Sequence, residues 1–197
     1  MRGLGKFEPD SYYHVVNHAM GSENLFRSDE NYRYFLNRFA HHIPSVCSSL
    51  CYCLMPNHIH FLIRTHPEEN LSQHQKYKGD FHKLIMYQLS NLLNAYAKAY
   101  NKRYEHKGSL WIDYTKRFEN ESDNYLTATI NYIHQNPVKH GFTQNIKDWK
   151  YSSYESLISS KPTLLSIKDV IKWFGGMEAY KDFHLTNLTN LLEEWEY

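Results

Sequence analysis

Residues 51–60, CYCLMPNHIH, carry two histidines one residue apart, His58 and His60, directly behind Pro56 and Asn57. Side chains alternate along a β-strand, so both imidazoles point to one side while Ile59 points to the other, and their ring nitrogens can close on one cation. With 13 histidines in 197 residues, about one such pair arises by chance, so the pair needs an answering group elsewhere before it means chemistry.

Two answers are available. Cys51 and Cys53 also share a strand face and, with His58 and His60, could form a structural zinc set. The spacing fits poorly, because zinc knuckles separate their cysteines by two to four residues, and free cysteine is among the most buried residue types. The other answer is NYIHQNPVKHGF (131–142). On a helix Tyr132 and Asn136 are four apart and share a face, which presents a phenol nucleophile together with an amide oxygen as third metal ligand. The plain alternatives are a packed tyrosine, one of 17, and a helix terminator ahead of Pro137.

The elements that must position these groups follow from periodicity. YYHVVNHA (12–19) reads as a strand with Tyr13, Val15 and Asn17 on one face and His14, Val16 and His18 on the other. A helix capped by Ser28 carries Tyr32, Phe35, Leu36 and Phe39 at helical spacing and ends at Pro44. Two β-rich runs, VCSSLCYCLM and HIHFLIRT, flank Pro56 and Asn57 as a hairpin. A long helix spans 80–104 with Phe81, Leu84, Ile85, Leu89, Leu92 and Leu93 as its apolar stripe. Then come a strand over 110–119 and a helix over 122–136, capped by Ser122 and closed at Pro137. This βαββαβ succession with one extra helix predicts an α+β fold, a ferredoxin-like antiparallel sheet with helices on one face and the other face free for a ligand. The expected domain is 8–155, and 156–197 forms a helical C-terminal tail, with short helices over 166–176 and in NLTNLLEEWEY.

Composition narrows the partners. A net charge of +1 selects none, but between Lys76 and Arg117 nine cations face three acids, interleaved with tyrosines and Trp111, as a nucleic-acid groove needs. After Met177 the balance turns acidic. No apolar run reaches membrane-spanning length and no secretory leader opens the chain, so no membrane partner and a cytoplasmic, nucleoid-associated protein are expected, with Cys47, Cys51 and Cys53 reduced.

YHVVNHA (13–19), YCLMPNHIHFLI (52–63), LWIDYTKRF (110–118), YIHQNPVKHGF (132–142) and WKYSSY (149–154), in this order, resemble the single-tyrosine transposases of the His-hydrophobic-His endonuclease superfamily, in particular the repeat-associated tyrosine transposase branch. The resemblance implies a ferredoxin-like domain that cuts and rejoins single-stranded DNA beside a hairpin through a 5′-phosphotyrosine. It assigns His58, His60 and Asn136 as metal ligands and Tyr132 as the nucleophile, with His134 or Gln135 as substitutes for Asn136 should the helix end early. Two imidazoles and an amide suit Mg²⁺ or Mn²⁺. Lys116, Arg117, Lys102 and Arg103 are expected to contact DNA, and His134 is a candidate general base. A homodimer exchanging its tyrosine helix or a monomer both fit, and the remaining alternatives are a hairpin-binding module without catalysis, the structural zinc protein and an α+β domain with no site. His18 stands where many relatives have arginine, and VKHGF replaces the usual Arg-Ala-Gly-Leu.

Overall fold

A computed structural model describes residues 5–120 and 122–186. Its elements are β1 (Tyr12–His18), α1 (Asp29–His42), β2 (Cys47–Leu54), β3 (His58–Thr65), α2 (Glu68–Ser72), α3 (Phe81–Tyr104), β4 (Lys116–Asn120), α4 (Asp123–Lys139), α5 (Tyr154–Ile158), α6 (Ile167–Trp173) and α7 (Met177–Thr186). The strands form one sheet in the order β2-β3-β1-β4, every neighbouring pair antiparallel. This is the α+β, ferredoxin-like arrangement that the order of elements predicts, with β1 and β3 as its central strands.

Each strand sorts its side chains between two packed layers. Tyr13 and Val15 of β1 and Ile59, Phe61 and Ile63 of β3 are buried against Phe35 and Phe39 of α1 and Leu84, Leu92 and Tyr96 of α3. The opposite face carries Leu62, Cys51 and Cys53 against Leu126, Ile130 and Ile133 of α4. In β2 a register shift between Ser49 and Cys51 inverts the alternation, so Cys47 lies in the first layer while Cys51 and Cys53 lie in the second.

The second face is therefore not free for a ligand, as the sequence reading expects. α4 covers it, and the chain after residue 155 completes that layer: Leu157, Val170 and Tyr180 are buried with α4. α7 is absent from the sequence reading, and the helix proposed for NLTNLLEEWEY lies outside the described residues.

Local signals explain the remaining differences. α4 runs through Pro137 to Lys139. Proline costs one backbone hydrogen bond to the residue four before it, here the carbonyl of Ile133, but does not by itself stop a helix. Gly141, at φ 71°, does: its N–H bonds the carbonyl of Val138 at 3.0 Å and that of Phe142 bonds Pro137 at 2.8 Å, the paired closure of a left-handed C-terminal cap. At the start of α1, Ser28 stands at the N-cap as expected, and Asn31 adds to it with its Oδ1, which accepts from the N–H groups of Arg27 and Ser28 at 2.9 and 3.2 Å. The strand expected over 110–119 is shorter, Lys116–Asn120, with Trp111 held in a separate bridge to Ala19.

Candidate active site

The hairpin and the far helix meet. His58 and His60 project from β3 toward α4, and the ring of His60 lies 5.8 Å from that of Tyr132 at 86°. Register adds further imidazoles: β1 pairs with β3 so that His18 lies opposite His58 and Val16 opposite His60. The His18 ring stacks on His58 at 4.9 Å and the His14 ring on His60 at 5.2 Å. From the end of α4, His140 packs on His58 at 5.1 Å, and the Lys139 ammonium sits 5.0 Å from the Tyr132 ring centre. Tyr132 and Asn136 are wholly buried, as are His14 and, within 4% and 1%, His58 and His60.

Hydrogen bonds orient these groups. His58 Nδ1 lies 2.9 Å from Asn57 Oδ1, an oxygen that can only accept, so the ring proton sits on Nδ1 and the lone pair on Nε2. Asn136 Nδ2 donates to the carbonyl of Tyr132, one turn back, at 3.0 Å. That anchor fixes which end of the carboxamide faces the site, and Asn136 Oδ1 is left buried with no hydrogen-bond partner. His60 Nε2 is buried and unpartnered in the same way. Buried polar atoms without partners are rare and call for an explanation. Two Lewis-basic atoms left so, one on each element, with the His58 lone pair beside them, fit a cation held by His58, His60 and Asn136. Among the described residues no three His, Cys, Asp or Glu side chains are gathered as a ready metal set; two imidazoles and a carboxamide stand outside that description.

Burial holds the imidazoles neutral, the form that ligates. It lowers His14 and His58 to about 3, with the neighbouring His18 and His140 adding to the effect on His58 and Asn136 opposing it. His60 is pushed well below its ordinary value by burial first and by the surrounding histidines second.

Not every expected residue arrives here. His134 and Gln135, the substitutes for Asn136, point away into α7: Gln135 Nε2 donates to the carbonyl of His184 at 2.9 Å, and His134 Nδ1 meets His184 Nε2 at 3.0 Å. His134 is consumed in a chain whose every proton is assigned. His184 Nδ1–H donates to the carbonyl of Tyr180 at 2.8 Å, so its Nε2 accepts from His134 Nδ1–H; His134 Nε2 then accepts from Ser153 Oγ–H at 2.9 Å, and Ser153 Oγ accepts from Tyr52 N–H at 2.8 Å. It is no general base for this site.

The four basic residues also divide. Lys116 lies opposite Val16 on the histidine face, two strands from His60, and is buried. Arg117 points the other way, into the layer of α3, where its guanidinium donates to the carbonyls of Gly5 and Thr115 and lies over the Phe7 ring, 5.3 Å from its centre. Arg117, expected to contact DNA, has its guanidinium taken up inside the fold in this structure. Lys102 and Arg103 end α3, exposed on the opposite layer from the histidines, and Arg103 pairs with Glu30 at 2.6 Å.

The geometry does not favour the zinc alternative: among the described residues Cys51, Cys53, His58 and His60 are not gathered as a metal set, and Cys53 Sγ turns to Met55 Sδ at 3.7 Å. The His60 ring contacts run instead to His14, His58 and Tyr132.

Sequence reasoning missed His14, His18, His140 and Asn57. The signal for the first two was present, since both share the Val16 face of β1; joining them to His58 and His60 needs the pairing of β1 with β3.

An antiparallel ferredoxin-like sheet with a histidine pair facing a buried tyrosine thus defines the class. No protein-family model matches the chain. A curated relative from Haemophilus influenzae (strain ATCC 51907 / DSM 11121 / KW20 / Rd), named as a REP-associated tyrosine transposase, is 29% identical over 133 residues, covering 61% of this chain and 69% of its own. A solved structure of a REP-associated tyrosine transposase bound to a REP hairpin is similar over 80% of this chain and 86% of its own, with a TM-score of 0.57 at 15% identity. The curated relative bears out the resemblance that the motifs carry, and the solved structure bears out the fold. No helix among the described residues is long and apolar enough to cross a membrane.

Proposed function

We propose that this chain is a tyrosine transposase that cleaves single-stranded DNA beside a hairpin and rejoins the ends. The observation that carries the reading is the meeting of His60 and Tyr132, ring centres 5.8 Å apart, on elements more than 70 residues apart in sequence. The curated relative and the hairpin-bound neighbour supply the substrate class by similarity.

In this reading His58, His60 and Asn136 would hold a divalent cation, Mg²⁺ or Mn²⁺, through the two Nε2 atoms and the amide oxygen that face the site. When bound, the ion supplies positive charge that polarises the scissile phosphate. Tyr132 Oη attacks phosphorus in line and loses its proton to solvent. The P–O bond to the 3′-oxygen breaks and that oxygen takes up a proton from solvent, leaving a 3′-hydroxyl and a 5′-phosphotyrosine. The covalent link keeps the energy of the phosphodiester, so a 3′-hydroxyl can reverse the step without ATP, which water as nucleophile would not allow. Asn136 contributes twice, by aiming its oxygen and by anchoring its amide on the Tyr132 carbonyl. Tyr132 is wholly buried, so entry of a DNA strand must part α4 from the sheet face or turn the phenol outward.

The test is a labelled single-stranded hairpin substrate incubated with protein and Mn²⁺. A protein–DNA adduct that survives denaturing electrophoresis and vanishes in Tyr132→Phe is expected. An adduct undiminished in that variant removes Tyr132 from the role.

A further inference from the structure

We infer that His14 is a positioning residue for this site, setting the tautomer of His60 so that its lone pair lies on Nε2. The inference rests on the metal-binding reading given above.

His14 Nε2 and His60 Nδ1 are 2.9 Å apart, a hydrogen-bond distance, so one proton lies between two ring nitrogens. Two arrangements satisfy that bond. In one, His14 donates, and a neutral His60 then carries its own proton on Nε2, aimed at the site as an N–H that cannot ligate. In the other, His60 donates from Nδ1 and Nε2 is left with its lone pair.

The neighbouring histidine shows which arrangement a chelate needs. His58 is held as Nδ1–H by Asn57 Oδ1, which leaves its Nε2 basic. A pair on one strand face acts on one ion only when both rings offer the same kind of nitrogen, so His14 must do for His60 what Asn57 does for His58. Ligating imidazoles in general have their second nitrogen held by such a partner, and loss of the partner weakens metal binding 10- to 100-fold.

Packing makes His14 able to do this. It is wholly buried at the centre of β1, so no water competes for the His60 proton, and the two rings lie nearly parallel at 18°. It also packs on the Tyr132 ring at 5.9 Å and 76°, so the same side chain touches both the imidazole and the phenol.

The experiment reads the tautomer directly in metal-free protein. Long-range proton–nitrogen correlation of ¹⁵N-labelled rings, with His60 assigned by its loss in His60→Gln, is expected to show His60 as Nδ1–H, moving toward Nε2–H in His14→Phe. Mn²⁺ affinity, followed by electron paramagnetic resonance, should fall about 10- to 100-fold in His14→Phe. His14→Gln, whose Oε1 can accept the same proton, should stay within a few-fold of wild type. Wild type that binds Mn²⁺ with His60 as Nε2–H overturns the inference, as does His14→Phe binding as tightly as wild type; the metal reading survives both. Wild type that shows the expected tautomer and takes up no Mn²⁺ overturns the metal reading, and the inference with it.

Discussion

The carboxamide of Asn136 hangs from the carbonyl of Tyr132 at 3.0 Å, so the third candidate ligand and the candidate nucleophile are tied by a hydrogen bond within one turn of α4. The bond leaves Asn136 Oδ1 buried and unsatisfied, a state that costs about 1–3 kcal/mol. Asn136→Ala removes that cost together with a bond worth about 1 kcal/mol. Its metal-free stability in urea should therefore stay within about 1 kcal/mol of wild type, while Mn²⁺ affinity falls at least tenfold. A large loss of stability with unchanged Mn²⁺ binding would make Asn136 a plain structural amide.

The His184–His134–Ser153 chain makes the fold sensitive to acid. Burial lowers His184 from 6.5 to about 4, and the groups facing it from neighbouring elements, His134, Tyr154 and Phe174, bring no carboxylate to offset this. The unfolded chain takes up this proton near pH 6.5 and the folded chain only near 4, so between those values the unfolded state holds more protons. Stability is full above about pH 6.5 and falls by up to roughly 3 kcal/mol as pH drops to 4, because the new proton on Nε2 faces the N–H of His134. Urea midpoints at pH 7, 6 and 5 should decline less steeply in His184→Gln; equal slopes would dismiss this histidine as the cause.

Arg117 and Lys102 separate fold from grip. Arg117→Ala should cost about 2 kcal/mol of stability, the scale of hydrogen bonds made by a charged group, since its guanidinium serves Gly5 and Thr115. Lys102 is exposed. If it meets phosphate, Lys102→Ala should leave the melting temperature alone and lower the salt dependence of hairpin binding by about one counterion.

The thiols offer a check on the zinc alternative. Buried and protonated, Cys51 and Cys53 should react with a thiol reagent only as fast as the protein unfolds. Prolonged dialysis against a chelator should shift the melting temperature by the same amount in wild type and in Cys51→Ser. A drop of several degrees that Cys51→Ser lacks would restore a structural metal held by the thiols.

Much of this arrangement is legible in the residues themselves. Alternation in YYHVVNHA and HIHFLIRT assigns faces to β1 and β3, and the interval of four between Tyr132 and Asn136 assigns a face to α4. What stayed hidden is relational. That α4 closes on the histidine face, rather than leaving it open, depends on partners in α6 and α7, whose short apolar patterns are weak. Pro137 misleads about where α4 stops because Gly141 supplies the true signal four residues later. Lys116 and Arg117 are adjacent in sequence and alike in charge, yet strand parity sends one to the histidine layer and the other into the α3 layer.

The bond between His134 and His184 spans 50 residues of chain. During synthesis, then, the segment bearing Tyr132 leaves the ribosome well before the part that packs on it, and the layer around α4 is completed late.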